Sequence, residues 1–558
     1  MEKRSTLYNK FEKYGYKIAM GILLIAITIN LSFNCYGASI AGDEYFSMGF
    51  ANNTEDFLFL TLGAIEIYGT DNWITGEFLH DWISVQEDGK FAIMPIHRNV
   101  RNDVHPPLYF MLLNFISSFF VDEVTLFPGY LINVISGIML CLLIYLVMRK
   151  TFTNKWIALI PPLFWATSMA GSITMTYLRM YAPLCALTML CLYLHILYME
   201  QENIKFWPLF WLFGCTLVGT LTHYYYYIMQ FALFMVIVIT LLCQRQIKKL
   251  FYYGMSLFGG EVISIAAYPY VFRHLLYSER GVQVQENLVN SDWAYYRDFF
   301  MEYMKTINYY VFFNRFSIIF VCLILCVFAT WMINILIKHG YVKRNIPFID
   351  DKKEDRIFIE KNGKYNLMLM IIVTVVYFLI LFKISYTSRW LYISPIFALL
   401  GIITIGLFAI AVNKMHIKNY GLILFVISCF FLCPKIPDTI EWAVKENSNT
   451  RRLHEEIVAY SDNCDVLFFY DEWNNLYDNQ ILELMEFDQI RAIPVEEIEN
   501  TNYKNILLSR QDSDNLLLYI PTKIEGYESK IGYIIDKIGV KKYHLIREDK
   551  HAIYFAEL

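Results

Sequence analysis

Two adjacent carboxylates, Asp43 and Glu44, follow Gly42 directly after the first long apolar run of the sequence. A carboxylate at the edge of a low-dielectric region has a shifted pKa, and such a group can act as a general base. The alternative is that the pair lies in a solvated loop and only ends the preceding helix. The pair is therefore a candidate catalytic site, and the solvated loop is the simpler alternative.

A second candidate is the segment Asp103-Val-His-Pro-Pro-Leu108. The two prolines after His105 fix the chain in an extended turn and favour the start of a helix behind them. This places Asp103 and His105 at the head of that helix. The same pattern would also suit a rigid helix entry in which the histidine is incidental.

Three further groups lie where apolar runs meet polar loops, namely Arg179-Met-Tyr181, His223-Tyr224 and Arg389-Trp-Leu391. A guanidinium matches a phosphate through two parallel hydrogen bonds, so an arginine at a membrane boundary can bind a lipid phosphate. Each arginine could instead extend its charged end to the headgroups, and each aromatic residue could belong to an interfacial belt.

The elements that position these residues are long apolar helices. Of the 558 residues, 56% are hydrophobic and 18% are charged, whereas a soluble domain carries about 25% charged residues. The net charge of −5 gives no indication of a nucleic-acid partner. Apolar runs of roughly 18 residues or more can cross a membrane. Such runs predict an α-helical polytopic membrane protein with about eleven transmembrane helices, near residues 18–35, 127–148, 156–173, 178–199, 206–222, 224–243, 250–273, 316–338, 366–384, 389–412 and 419–434.

The segment 105–120 decides the topology. It is short for a membrane span, and Asn114, Ser117 and Ser118 form a narrow polar stripe that is typical of a helix lying in the membrane interface. If it lies flat, the basic loops all fall on the side of the basic N-terminus, as the positive-inside rule requires. These loops are at 149–155, 205, 245–249, 338–344 and 414–418. The sequence therefore predicts an integral protein of a bacterial plasma membrane with a cytoplasmic N-terminus.

Two domains are predicted. Residues 1–434 form a transmembrane domain, whose external loop 41–126 carries the acidic pair and interfacial helices, including an amphipathic piece at 57–65. Residues 435–558 have soluble composition and form a small extracytoplasmic α/β domain. Strands are predicted at 466–470, 505–509, 516–521 and 552–556, and helices near 450–461, 474–486 and 527–538.

The order of these motifs resembles the GT-C superfamily of glycosyltransferases. It is most similar to protein O-mannosyltransferases and to the bacterial lipid A aminoarabinose transferase. Residues 42–44 resemble the acidic motif of their first loop, residues 103–108 resemble the mannosyltransferase motif, and residues 179–181 resemble a motif of bacterial members. Weaker similarities lie at 222–225 and 389–391, and the resemblance covers roughly residues 15–412.

The resemblance implies an inverting, single-displacement transfer of a sugar from a polyprenyl-phosphate donor. Asp43 would accept the proton of the acceptor hydroxyl, and Glu44 would orient the acceptor or Asp43. The donor and its phosphate would be bound by His105, Arg179, Tyr181, His223 and Arg389, while Asp103 and Tyr224 would contact the acceptor or shape the site. No nucleotide or redox cofactor is needed, because a sugar phosphodiester is already activated. Some members of the superfamily use a divalent cation at the acidic motif.

The partners implied are a polyprenyl-phosphate-linked sugar, membrane lipids and an acceptor, which could be a lipid, a cell-surface glycan or a protein. Two other functions stay open. A lipid or polysaccharide transporter would carry charged or Gly/Pro-broken residues near mid-span. A non-catalytic membrane scaffold that presents the C-terminal domain would not need Asp43 or His105.

The topology is tested by reporter fusions. We expect a reporter fused after Lys155 to report a cytoplasmic position, and one fused after Lys435 to report an external position, because the charge asymmetry of the loops requires both. An external signal from the Lys155 fusion would contradict the flat orientation of residues 105–120.

Overall fold

The computed structural model of the protein describes residues 2–36, 42–54, 72–101, 103–290, 293–339, 360–384, 395–413, 419–471, 480–509 and 514–558. The chain forms two compact units. The first consists of Met1–Ala38, Asp103–Tyr109 and Gly129–Val444, and the second of Ser39–Asn102, Phe110–Pro128 and Lys445–Leu558.

The described residues are mostly helical. The helices are α1 (Glu2–Tyr36), α2 (Asp43–Asn52), α3 (Gly76–Ile83), α4 (Met94–Val100), α5 (Leu108–Ser117), α6 (Phe127–Thr151), α7 (Lys155–Ala158), α8 (Ile160–Thr167), α9 (Met169–Thr176), α10 (Tyr181–Glu200), α11 (Phe206–Thr222), α12 (Tyr225–Cys243), α13 (Ile247–Ala267), α14 (Val271–Tyr277), α15 (Glu279–Asn290), α16 (Trp293–Tyr310), α17 (Phe316–Lys338), α18 (Gly363–Ile384), α19 (Ile396–Asn413), α20 (Tyr420–Leu432), α21 (Lys435–Val458), α22 (Ile481–Leu484), α23 (Tyr503–Leu508) and α24 (Tyr527–Ile538). The strands are β1 (Cys464–Tyr470), β2 (Ile490–Pro494), β3 (Asn515–Pro521), β4 (Lys542–Glu548) and β5 (His551–Glu557).

The apolar helices match the predicted spans. Within the described ranges, eight helices are long and apolar enough to cross a membrane, and a ninth candidate is bent. The two remaining predicted spans correspond to α11 and α19, which are apolar but shorter. The prediction of an α-helical polytopic membrane protein is confirmed.

The ninth candidate differs from the single straight span predicted at 156–173. The chain from Lys155 to Thr176 bends by 58° at Ser168. Ser168 has an extended backbone, and its hydroxyl accepts from the amide of Gly171 at 3.1 Å, so it caps α9. At the other end of α9, the Asn133 side chain donates to the carbonyls of Met175 and Tyr177, both at 2.9 Å. The break is therefore stable in apolar surroundings because side chains satisfy the freed backbone groups.

Three basic loops lie together at one end of the first unit. The Lys150 ammonium lies 2.5 Å from the Glu200 carboxylate, and the Lys249 ammonium donates to the carbonyl of Gln201 at 2.9 Å. Asn366 donates to the carbonyl of Lys150 at 2.9 Å, which brings the start of α18 to the same end. These contacts place the three loops at the same end of the helices, and the side of the membrane on which they lie stays a prediction.

Helix α5 has only 10 residues, which is roughly 15 Å and too short for a membrane span. Two residues of its polar stripe make hydrogen bonds within the protein. Asn114 donates to the carbonyl of Gly89 at 3.0 Å and accepts from the amide of Ala92 at 3.1 Å. Ser118 accepts from the amide of Phe91 at 2.8 Å. The stripe thus binds the backbone of the preceding loop, and the flat orientation stays a prediction.

The second unit combines parts of the chain that are far apart in sequence. Residues 73–76 run along the edge of β2, where Ile74 and Ile490 exchange two backbone hydrogen bonds of 2.9 and 2.8 Å. The indole of Trp73 donates to the Ser509 hydroxyl at 3.2 Å. This grouping differs from the predicted division at residue 434, which assigned the loop 41–126 to the transmembrane domain. The predicted amphipathic piece at 57–65 lies outside the described residues.

The C-terminal part of the second unit is a five-stranded sheet with the order β2-β1-β3-β5-β4. β1, β2 and β3 are parallel, while β5 runs antiparallel to β3 and to β4. Side chains of β1 and β3 pack against α23 and α24 in an apolar core that includes Leu467, Leu518 and Ile534. The prediction of a small α/β domain is confirmed.

One of the four predicted strands is wrong. Residues 505–509 lie largely in α23, because the Asn502 side chain accepts from the amide of Asn505 at 3.2 Å and caps a helix there. The short apolar run of Ile506, Leu507 and Leu508 suits either a strand or a helix, and Leu508 is 75% exposed.

Strands β2 and β4 were not predicted from the sequence. The predicted helix at 527–538 is α24, and residues 472–479 of the predicted helix at 474–486 lie outside the described residues.

A buried ion pair fixes β4 to α22. The Arg547 guanidinium contacts both carboxylate oxygens of Glu483, at 3.0 and 2.8 Å, and the Tyr519 hydroxyl donates to the same carboxylate at 3.1 Å. Burial raises the pKa of Glu483 to about 7, although the hydrogen bonds and charge of Arg547 oppose this shift. The paired geometry is what makes a buried charge tolerable here.

We predict that Gly76→Ala loosens the edge of β2. A β-carbon at this position would lie 2.2 Å from the carbonyl oxygen of Met485, and such overpacking costs about 1–3 kcal/mol. Hydrogen exchange of the β2 amides, measured by mass spectrometry, should accelerate. The control is Gly532→Ala in α24, where nothing lies within 4 Å of an added β-carbon and alanine is about 1 kcal/mol better in a helix. Unchanged exchange in Gly76→Ala would contradict the pairing of residues 73–76 with β2.

Candidate functional site

Four turns of the first unit meet at one end of its helices. They are the segment before α5, the turn between α9 and α10, the turn between α11 and α12, and the turn between α13 and α14. Each brings polar or ionisable side chains toward the others, as the contacts below describe. The basic loops that contain Lys150 and Lys249 lie at the opposite ends of α6, α10 and α13.

The segment before α5 contributes a buried acid–base pair. The Asp103 carboxylate lies 2.8 Å from Nδ1 of His105, and their side chains are only 16% and 7% exposed. Burial alone would raise the pKa of Asp103, but the charge and hydrogen bond of His105 and the charge of Arg179 hold it well below its usual range. Asp103 is therefore ionised near neutral pH. It accepts the Nδ1 hydrogen of His105.

Arg179 lies in the turn between α9 and α10, and its side chain is buried. One guanidinium nitrogen lies 3.4 Å from Nδ1 of His105. The bend at Ser168 and the bonds from Asn133 to Met175 and Tyr177 position this turn. A buried guanidinium next to an ionised carboxylate is a strong, oriented positive charge.

His223 and Tyr181 line the same region. The His223 ring lies 5.6 Å from the His105 ring and 5.4 Å from the Tyr181 ring. Nδ1 of His223 accepts from the amide of Tyr225 at 3.0 Å. Because Nδ1 is an acceptor, the ring carries its hydrogen on Nε2, where it is a hydrogen-bond donor.

Tyr224 brings in two residues that the sequence analysis did not single out. Its hydroxyl and Nδ1 of His274 share a hydrogen bond of 2.8 Å, and the His274 ring lies 5.6 Å from the ring of Tyr268. Neither residue belongs to a recognisable motif. The only sequence signal was their position near the outer end of a predicted span, at the start of the external region 274–315.

Two of the remaining predicted site residues belong to the second unit. Asp43 and Glu44 form the first turn of α2 in the second unit, after Gly42, whose φ of 56° favours glycine. Glu44 is 9% exposed, and Asp43 is partly exposed. The positive end of the α2 dipole lies at this N-terminus, where negatively charged side chains are stabilising. Arg389 lies outside the described residues.

One group of side chains in the second unit could hold a cation. Ligand atoms of His80, Asp81 and Asp122 lie within 4.8 Å of one another. The side-chain amide of Gln86 donates to both carboxylates, at 3.1 and 3.4 Å. This group is separate in sequence from the acidic pair at 43–44, where the family resemblance suggested a divalent cation.

The cluster in the first unit contains groups that suit an anion and groups that suit a neutral polar ligand. Arg179 and the Nε2 hydrogen of His223 supply a positive charge and a donor, which match phosphate oxygens. The ionised Asp103 and the Tyr224 hydroxyl supply an acceptor and a donor, which match hydroxyl groups. Asp103, His105, Arg179, Tyr181, His223 and Tyr224 are thus brought together by the fold.

The lowered pKa of Asp103 predicts a pH-dependent contribution to stability. Ionised Asp103 stabilises the fold fully above the ordinary aspartate pKa of about 4, and this contribution is lost as the pH falls through the lower folded value. We expect Asp103→Asn to lower the free energy of unfolding by about 1–3 kcal/mol at pH 7, with the difference from wild type shrinking below about pH 4. Thermal unfolding in detergent between pH 3 and 8 measures this.

The control for this experiment is Asp438→Asn. The Asp438 carboxylate lies 2.8 Å from the Lys435 ammonium but is 60% exposed, and an exposed ion pair contributes less than about 1 kcal/mol. If both variants lose the same free energy of unfolding, the Asp103–His105 bond contributes no more to stability than an exposed ion pair.

Comparison with known proteins adds the following. No curated protein matches the chain in sequence. Similar solved structures include ArnT from Cupriavidus metallidurans bound to undecaprenyl phosphate, with 11% identity over 97% of this chain and 98% of that chain and a TM-score of 0.46. The apo state of the same protein gives 10% identity, the same coverage and a TM-score of 0.46. The archaeal oligosaccharyltransferase AglB from Archaeoglobus fulgidus, in complex with an inhibitory peptide and a dolichol-phosphate, gives 11% identity over 95% of this chain and 72% of that chain, with a TM-score of 0.39.

One family model matches part of the chain. Residues 104–267 match the dolichyl-phosphate-mannose-protein mannosyltransferase family. This segment holds His105, Arg179, Tyr181, His223 and Tyr224, which is most of the cluster in the first unit. For residues 104–267, the match confirms the resemblance to GT-C glycosyltransferases that the motifs indicated.

Proposed function

We propose that the protein is a membrane glycosyltransferase that moves a sugar from a polyprenyl-phosphate donor to an acceptor by inverting single displacement. The observation that carries this proposal is the buried cluster of Asp103, His105, Arg179 and His223 at one end of the apolar helices. The match of residues 104–267 to a mannosyltransferase family supports the same reaction class.

Arg179 and His223 bind the donor phosphate. A sugar phosphodiester carries one negative charge, whereas the polyprenyl phosphate that leaves carries about −1.5 to −2 near neutral pH. The positive charge of Arg179 and the Nε2 hydrogen of His223 therefore bind the leaving group more strongly than the donor. Interactions that strengthen along the reaction lower its barrier. Arg389 is a second guanidinium for this role, and Tyr181 packs against His223.

Asp43 is the general base of the proposed reaction. The acceptor oxygen forms a bond to the anomeric carbon while the bond between that carbon and the phosphate oxygen breaks. The proton of the acceptor hydroxyl passes to the Asp43 carboxylate, and Glu44 orients the acceptor. Attack from the face opposite to the phosphate inverts the anomeric configuration. The donor bond supplies the driving force, so the step uses no nucleotide.

The site lies on the external side of the membrane in this proposal. The clustered basic loops, such as those that contain Lys150 and Lys249, lie at the other ends of the same helices. By the positive-inside rule, those loops are cytoplasmic. The acceptor is then an extracytoplasmic lipid, cell-surface glycan or protein, and the sugar is a hexose or a pentose.

The test is the release of polyprenyl phosphate from polyprenyl-phosphate-linked hexoses and pentoses by the purified protein in lipid nanodiscs. We expect wild-type protein to release it in the presence of a membrane extract as the source of acceptor. Asp43→Asn should lower turnover by roughly 10²–10⁴-fold at saturating donor. Arg179→Ala should lower it by roughly 10²–10³-fold, and Arg179→Lys should restore part of the loss, because the fork geometry is missing.

Two exposed residues supply matched controls. Asp88→Asn removes a carboxylate of the second unit that accepts only a 3.3 Å hydrogen bond from Thr54 among the bonds described. Arg297→Ala removes a guanidinium that is 64% exposed. Both variants should release polyprenyl phosphate from the donor at the wild-type rate. The proposal fails if wild-type protein leaves every donor intact, and the assignment of Asp43 fails if its Asn variant keeps normal turnover.

A further inference from the structure

His274 is a buried residue next to the site to which no motif gives a role. It lies in α14, is 3% exposed, and shares its 2.8 Å hydrogen bond with the hydroxyl of Tyr224. Tyr268, at the end of α13, packs edge-on against the His274 ring at 5.6 Å. His274 therefore holds the Tyr224 hydroxyl, and Tyr268 from the same part of the chain packs against His274.

Tyr224 is a neutral hydrogen-bond donor in this environment. Burial raises the pKa of Tyr224, and the neighbouring Tyr268, Tyr227 and Asp103 raise it further. The pKa of Tyr268 is raised by burial and then by Asp103 as well. Both phenols therefore stay protonated at physiological pH.

The charge of Asp103 distinguishes the two halves of a sugar phosphate. An ionised carboxylate repels a phosphate but accepts hydrogen bonds from sugar hydroxyls. A phenol beside it can donate to a sugar oxygen, and the face of an aromatic ring can pack on a sugar ring. Arg179 and His223 therefore suit the phosphate, whereas Asp103 and Tyr224 suit the sugar.

We propose that Tyr224 contacts the sugar of the donor, and that His274 is a positioning residue that holds the Tyr224 hydroxyl in place for this contact. The inference rests on the proposed function, since it assigns part of the same site to the sugar. When the Nδ1 hydrogen of His274 is donated to the Tyr224 oxygen, the phenolic hydrogen is left for the sugar. Loss of His274 frees the phenol to rotate away.

The test compares binding of the sugar-bearing donor with binding of polyprenyl phosphate alone. We expect Tyr224→Phe and His274→Leu to raise the KM for the polyprenyl-phosphate sugar by about 5- to 30-fold, which is the value of one hydrogen bond in a partly buried site. Their affinity for polyprenyl phosphate without a sugar should match wild type. Arg179→Ala should weaken the binding of both lipids.

A double variant and a conservative variant test whether His274 acts through Tyr224. Tyr224→Phe combined with His274→Leu should be no worse than Tyr224→Phe alone, because there is no hydroxyl left to position. His274→Asn should raise the KM less than His274→Leu does, since the side-chain amide of asparagine can donate near the position of Nδ1. If the double variant shows the sum of the two losses, His274 does not act through Tyr224.

The matched control is a second buried histidine–tyrosine pair in the same unit. Nε2 of His195 lies 2.9 Å from the hydroxyl of Tyr253, and both residues are fully buried inside the helices. His195→Leu and Tyr253→Phe should lower thermal stability without changing the KM for the donor. Equal KM effects in the two pairs would overturn the inference by showing that any buried pair of this kind matters.

The outcomes separate this inference from the proposed function. If wild-type protein transfers no sugar, the proposed function fails. If wild-type protein transfers sugar but Tyr224→Phe, which removes one oxygen and folds normally, keeps the wild-type KM, the sugar contact is wrong and the function stands. If Tyr224→Phe weakens binding of the sugar-free lipid by the same factor, Tyr224 contacts the phosphate and the inference is also wrong.

Discussion

The hydrogen bond between the Asp103 carboxylate and Nδ1 of His105 is the interaction on which the site depends. Both side chains are almost completely buried, so neither would tolerate the loss of the other. The bond keeps Asp103 ionised and, through that charge, balances the buried guanidinium of Arg179. It also places a hydrogen on Nδ1 of His105. Charge, orientation and proton position in the cluster all follow from one 2.8 Å contact.

The membrane part of the fold was predictable because a span is a local feature. A run of apolar residues specifies its own helix, and the coincidence of the predicted spans with α6, α10 and α12 shows this. The soluble part was less predictable. A three-residue apolar run such as 506–508 fits a strand or a short helix, and only the capping Asn502 decides between them. The edge pairing of Ile74 with Ile490 joins distant segments and leaves no trace in local periodicity.

In the site, too, local features could be predicted from the sequence, whereas contacts between distant segments could not. Asp103, His105 and Arg179 could be predicted to lie on one side because the sign of the loop charges orders the spans. Tyr268 and His274 could not, because neither belongs to a motif that sets it apart from other residues near a helix end or in a short helix. Their position next to Tyr224 follows from how α13 and α14 pack, which depends on side chains from several helices. Arg389 and the role of Asp43 remain predictions.

The pairing of Ile74 with Ile490 also sets an order of events during synthesis. A ribosome adding about 5–20 residues per second needs roughly 20–80 s to travel between these positions. During this interval the early segment that carries Asp43 is already made, while β1 and β2 do not yet exist. The second unit is therefore completed last, after the apolar helices. A chain that stops before residue 490 lacks the edge partner of residues 73–76, so unfinished copies differ in shape from finished ones and can be recognised and degraded as such.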